Sequence, residues 1–192
     1  MRILVLHVNR SGGTRLSNGL SRYFNVTHYP SPFRDYILNP PKDLSFYEIN
    51  NNVLQDRIIN HTYTELCNIV EVYDNVILLT RRNLEEAIQS WAYISTMRDD
   101  TKVKFGSHTT RYVWEKTDNY SEIEDLLTEA DNTIRDLSSK YSIPLTYYED
   151  LYYNYPKLTV ESFNLGINFN SFKKYIDNSK RQRKYEGSTD LI

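Results

Sequence analysis

Cysteine is almost missing from this chain: Cys67 stands alone among 192 residues, which excludes an internal disulfide and any multi-cysteine metal site. Neither sign of charge predominates. With 23 Lys and Arg against 25 Asp and Glu, the net charge of −2 provides no broad basic field for nucleic acid. No apolar run approaches membrane-spanning length. The first such run gives way to Asn9-Arg10-Ser11 too soon for a secretory signal. These absences lead to an expectation of a cytoplasmic protein without nucleic-acid or membrane partners. Glycine is scarce at six residues while tyrosine reaches seventeen, a bias with no evident physical cause.

The length suits one domain with a full core and is short for two. No internal repeat or linker interrupts it. Ile3 to Val8 is nearly all apolar and predicts a strand buried on both faces of a parallel sheet. A helix over 14–24 follows, then a short strand at 25–29, then four prolines within 30–50 that predict irregular structure. Val53 to Ile59 reads as a strand, Thr62 to Tyr73 as a helix, and Val76 to Leu79 as another buried strand. From Arg82 onward, Leu84, Ala87, Ile88 and Trp91 recur at helical spacing. Residues 99–118 are polar and read as a lid or substrate loop. A helix over 121–141, a strand at 143–148, a short helix from Pro156 to about Leu165 and a basic tail from Lys173 complete the chain. The alternation predicts a single-domain three-layer α/β fold with a central parallel sheet flanked by helices, its core spanning about 1–165.

The chemistry concentrates after the first strand, at Asn9-Arg10-Ser11-Gly12-Gly13-Thr14. Strand, small-residue loop and helix start form a phosphate cradle, in which glycines permit the tight turn and first-turn amides face an anion. A nucleoside-triphosphate loop would carry a lysine before the terminal hydroxyl residue and a glycine at its first position. Here Gly13 precedes Thr14, and the cation is Arg10, ahead of the glycines. A second group, Arg82 with Ser90 eight positions on, follows the inner strand at 76–79. The two lie about 12 Å apart along a helix, so they converge on one group only if Arg82 bends inward. Bidentate arginine is a natural binder of a terminal phosphate.

Arg10, Ser11, Gly12 and Thr14 resemble the 5′-phosphosulfate loop of the P-loop sulfotransferase family, although Gly13 replaces a hydroxyl residue and Arg15 a frequent tryptophan. Arg82-Asn83 with Ser90-Trp91 resembles that family's 3′-phosphate site, and Tyr147-Tyr148-Glu149-Asp150-Leu151 resembles its Tyr-Glu-Asp-Leu stretch. The resemblance implies a P-loop fold that binds 3′-phosphoadenosine 5′-phosphosulfate and transfers its sulfuryl group to a hydroxyl or amine of a carbohydrate or small molecule. It implies no metal, with Arg10 and the loop amides supplying the positive field. Arg10, Ser11, Gly12, Gly13, Thr14, Arg15, Arg82, Ser90 and Tyr148 become the cofactor-binding set, Tyr148 lying by the adenine. Arg57-Ile58-Ile59-Asn60-His61 is similar to the family's Lys-Thr-His strand end and makes His61 the base. A histidine in reach of the acceptor takes its proton, while Arg10 steadies charge on the leaving phosphate. Where other branches place a glutamate before a proline, this chain has Ser31, leaving Asp35, His28 and Glu48 as alternatives for the base. His7 reads as structural, and Glu149 with Asp150 as capping or ion-pairing groups. The cluster Arg181-Gln182-Arg183-Lys184 with Gly187 resembles the Arg-Lys-Gly grip on the 3′-phosphate. Two rivals remain. A non-catalytic module would keep the nucleotide site without a base. A kinase-like phosphotransferase is disfavoured by the missing loop lysine and by Thr80-Arg81 where an acidic residue should follow the inner strand.

Overall fold

The structure is a computed structural model and describes residues 1–29, 51–99 and 119–177. The expected irregular stretch at 30–50 lies outside them, as do 100–118 of the expected lid and 178–192 of the tail. Five strands form one all-parallel sheet in the order β2-β3-β1-β4-β5: β1 (Arg2–His7), β2 (Thr27–Tyr29), β3 (Asn52–Arg57), β4 (Asn75–Thr80) and β5 (Leu145–Tyr147). β1 is central, with Leu4 in register with Leu54 on one side and Val76 on the other.

The unbroken apolar run of β1 has its explanation in two cores. Ile3 and Val5 join Val53, Ile77 and Leu79 on one face, under α1 (Gly13–Phe24), α5 (Pro156–Glu161) and α6 (Phe169–Asp177). Leu4, Leu6 and Val8 join Leu54 and Leu78 on the other, under α2 (Tyr63–Val72), α3 (Leu84–Asp99) and α4 (Tyr120–Tyr141). Helices thus cover both faces, the usual condition for an all-parallel sheet. Thr62, placed inside α2 by its sequence, is instead its N-cap, exchanging hydrogen bonds with Glu65 in a capping box.

Three boundaries differ from expectation. The strand expected to reach Ile59 stops at Arg57 and turns through a 3₁₀ segment, Ile58–Asn60. The helix expected to run to Leu165 stops at Glu161, after a π-helical turn over Asp150–Asn154 that no periodicity announced. The tail expected from Lys173 begins within α6, whose Phe172 and Ile176 are buried against α1. A helix that is basic on its exposed side hides two apolar residues there, so the packed structure extends through 177. Among the described residues no helix is long and apolar enough to cross a membrane.

The connections leaving β1 and β4, neighbours in the sheet, run toward opposite edges, through α1 to β2 and through α3 and α4 to β5. That divergence opens a crevice at the carboxyl ends of the two strands, where open α/β sheets place ligands. Truncating Phe172 tests the role of α6. Phe172→Ala should lower unfolding free energy by about 3–5 kcal/mol in urea denaturation, whereas a solvated tail would lose almost nothing.

Candidate phosphate-binding site

The loop after β1 is shaped by its own backbone. Val8 N–H donates to the Leu79 carbonyl at 3.0 Å, fastening the strand end to β4. The Ser11 hydroxyl donates back to Val8 O at 2.6 Å and is fully buried. Ser11 therefore closes the turn, and its hydroxyl faces inward rather than toward a ligand. Arg10 and Gly12 take left-handed conformations, φ 65° and 81°. Gly12 O accepts from the amides of Arg15 and Leu16, starting α1. The amides of Gly12, Gly13 and Thr14 have no partner among the described residues. They are the ordinary orphan donors of a helix start, and they open into the crevice.

Both glycines are required by close approach as well as by turning. A Cβ on Gly13 would lie 2.2 Å from the His7 ring, so the backbone there rests directly on the imidazole. A Cβ on Gly12 would lie 2.8 Å from Tyr148 and from Tyr152. Tyr152, which sequence reasoning did not single out, donates from its hydroxyl to Gly12 O at 3.1 Å. The outer side of Gly12 is thus covered by two tyrosines, while the first-turn amides are unpaired among the described residues. Arg15 stacks on the Tyr152 ring, 4.3 Å from its centroid, and donates to Ile176 O at 2.7 Å. Its guanidinium ties the loop to the end of α6.

Arg10 and Ser90 come together. The Arg10 guanidinium donates through Nε to the Ser90 hydroxyl at 3.0 Å, joining segments eighty residues apart at one point of the crevice. Arg82 has other company. Its guanidinium pairs with Asp150, Nε lying 3.3 Å from Oδ1, and stacks on Tyr147 at 4.0 Å. At 54% exposure it points away from an inward position. The inward arginine is its neighbour Arg81, 12% exposed and 4.5 Å over the Tyr148 ring. Two adjacent arginines at a strand end diverge, and nothing in the residues beside them distinguishes which turns in. Glu149 accepts from the Arg82 and Asn83 amides at 2.9 and 3.3 Å, capping the start of α3 as expected. Tyr148 is 5% exposed, its hydroxyl 3.1 Å from that of Tyr153, and burial pushes its ionisation upward. It is a core tyrosine that reaches the loop with its ring edge.

His61 is held rather than free. Its Nε2 lies 2.8 Å from Asp56 Oδ2, the two side chains being 2% and 0% exposed. Asn60 and the Arg57 amide donate to the other Asp56 oxygen, each at 2.7 Å. Burial raises the Asp56 carboxyl, but the bonds from His61, Asn60 and Arg57 outweigh it and hold it below the ordinary carboxylate range. Asp56 fixes the imidazole by the Nε2 proton, leaving Nδ1 as the acceptor. His61 makes no hydrogen bond to the loop or to Arg82 among the described residues. Of the alternative bases, His28 is half-buried on β2, with burial lowering its ionisation. Asp35, Glu48 and the basic cluster at 181–187 lie outside the described residues. No group of three or more His, Cys, Asp or Glu is arranged to hold a metal among the described residues.

No protein-family model and no curated protein matches this chain.

His7 carries a measurable consequence of this geometry. Burial, against the pull of the Val8 carbonyl, pushes its imidazole down to about 4 from the ordinary 6.5. Between those values the unfolded chain binds a proton that the native one refuses, so stability falls as pH drops through that window. The loss attributable to His7 is about 3 kcal/mol, and it is fully recovered above pH 6.5. Urea unfolding at stepped pH should show a steeper decline between 6.5 and 4 for the native protein than for His7→Asn. Parallel profiles would mean that the imidazole is not held neutral.

Proposed function

We propose that the protein is a sulfotransferase that binds 3′-phosphoadenosine 5′-phosphosulfate at the β1 loop and transfers the sulfuryl group to a hydroxyl or amine of a carbohydrate or small molecule. The observation that carries the reading is the meeting of Arg10 with Ser90. Two residues singled out for one ligand, from unrelated segments, lie in contact beside a row of unused amides at a topological switch point. The donor set suits an anion: three backbone N–H groups, a guanidinium and a hydroxyl. At the far end the fit is incomplete, because Asp150 already occupies Arg82. Arg82 is 54% exposed and Asp150 19%, so solvent reaches the arginine side of the pair, where a phosphate would compete with the carboxylate.

When bound, the phosphosulfate supplies an activated sulfuryl group. The chain does the rest: the Gly12, Gly13 and Thr14 amides and Arg10 hold the 5′-phosphosulfate, and Ser90 beside Arg10 receives the 3′-phosphate. Arg82 supplies positive charge toward the adenosine end, while Arg81 is already paired with Glu86 and Glu149. His61, with Asp56 fixing its tautomer, takes the acceptor proton at Nδ1. A second reading has a specific observation in its favour. The 2% exposure of His61 suits a module that binds adenosine 3′,5′-bisphosphate without catalysis.

Adenosine 3′,5′-bisphosphate at a hundred times its Kd should stabilise the protein by about 2.7 kcal/mol in thermal-shift measurements, and ATP with Mg²⁺ should not. Arg10→Ala should lose most of that stabilisation. Transfer of labelled sulfate to a panel of sugars and phenols, abolished in His61→Ala with nucleotide binding kept, supports the enzyme. Binding without transfer to any acceptor supports the module, and no binding removes both.

A further inference from the structure

Beneath the loop runs a series of buried hydrogen bonds whose direction can be derived from its fixed end. The Val8 carbonyl can only accept, so His7 Nδ1, 3.0 Å away, carries the proton. A neutral imidazole protonated at Nδ1 has an accepting Nε2. The Gln55 group 3.1 Å from Nε2 must therefore be the amide nitrogen, not the oxygen. The same nitrogen lies 2.9 Å from Thr14 Oγ1 and spends its second hydrogen there. Thr14 Oγ1 accepts, and its own hydrogen has no acceptor among the described residues. His7 and Gln55 are 4% and 2% exposed, whereas Thr14 is exposed at the first turn of α1. Gln55 Oε1 is buried without a well-formed hydrogen bond, and the Gln55 side chain also bears on the His28 imidazole. Burial keeps His7 neutral near pH 7, so its Nε2 remains an acceptor there.

We infer that His7 and Gln55 are positioning residues that preset the Thr14 hydroxyl as an outward donor to the anion held by the β1 loop. The inference rests on reading that loop as an anion site. The series delivers one hydrogen at the same turn as the free amides of Gly12 and Gly13. Rotation of Thr14 to serve a backbone carbonyl of its own helix, the usual habit of threonine in helices, is opposed by the Gln55 donor. Gln55, a buried polar residue of β3, is thereby given a task.

Two measurements test it. In nitrogen-15 NMR of the ligand-free protein, His7 should show a protonated Nδ1 and a bare Nε2 at pH 7. The opposite tautomer overturns the inference whatever the loop binds. In calorimetry with adenosine 3′,5′-bisphosphate and, separately, inorganic pyrophosphate, Thr14→Val and Gln55→Leu should each weaken binding roughly five- to tenfold. The double variant should be no weaker than either alone, and Thr14→Ser should restore binding. Thr14 is exposed, so its variants remain informative even if Gln55→Leu folds poorly. Unchanged affinity in Thr14→Val and Gln55→Leu, with native binding intact, overturns the relay and spares the proposed function. Pyrophosphate bound with these losses, but no bisphosphate, overturns the nucleotide reading and supports the relay. If neither ligand binds the native protein, both fall.

Discussion

The backbone of Gly13 lying against the His7 imidazole is the contact on which the site depends. It brings the first turn of α1 down onto the end of the central strand, closer than any side chain allows. Because the ring is buried and neutral, the approach places no charge beneath the loop to compete for an anion. The same ring fixes Gln55, and Gln55 fixes Thr14. A substitution at Gly13 would therefore shift the amides above it as well as the packing below. Overpacking of a few tenths of an ångström can be absorbed by neighbours, but a 2.2 Å approach cannot.

Around that fixed point the ionic groups divide into those easily moved and those held. The Arg82–Asp150 pair is reached by solvent on the arginine's side, so it is the more easily moved. The His61–Asp56 pair is buried, and its carboxylate takes two further bonds from Asn60 and the Arg57 amide, so the imidazole is held in place. The aromatic side of the loop lies between these extremes. Tyr148 and Tyr152 cover Gly12, each with a guanidinium stacked on it, Arg81 on one and Arg15 on the other. This alternation of cations and rings joins the loop, the start of α3 and the end of α6 into one rigid wall, with cation–π contacts each worth about 0.5–2 kcal/mol.

The fold was legible where periodicity and apolar runs were strong. β1, β4 and the long α4 follow from buried strand runs and helical spacing, because in each one the core dictates residue type along its length. Legibility failed where burial is decided by remote partners. Phe172 and Ile176 are two apolar residues in a basic segment, and only the groove on α1 makes them core. In the site, the glycine turn after β1 could be read because tight turns leave a local signature, and the structure brings Arg10 and Ser90, singled out separately, into contact. Arg81 could not be told from Arg82, since which of two adjacent side chains turns inward depends on Tyr147, Tyr148 and Asp150 lying sixty-odd residues away. Gln55 did leave a signal, a polar residue in a buried strand, but its partner Thr14 lies forty-one positions upstream. Ser11 was misleading in a different way: a hydroxyl beside a glycine reads as a ligand group, and here its geometry serves the turn.

The central claim is that the loop after β1 and the middle of α3 form one binding site. Backbone amide chemical-shift mapping with adenosine 3′,5′-bisphosphate tests it most directly. The account predicts saturable shifts at Gly12, Gly13 and Thr14 together with Ser90, all following one binding curve. Shifts confined to one of the two segments, or saturating at separate concentrations, would contradict it.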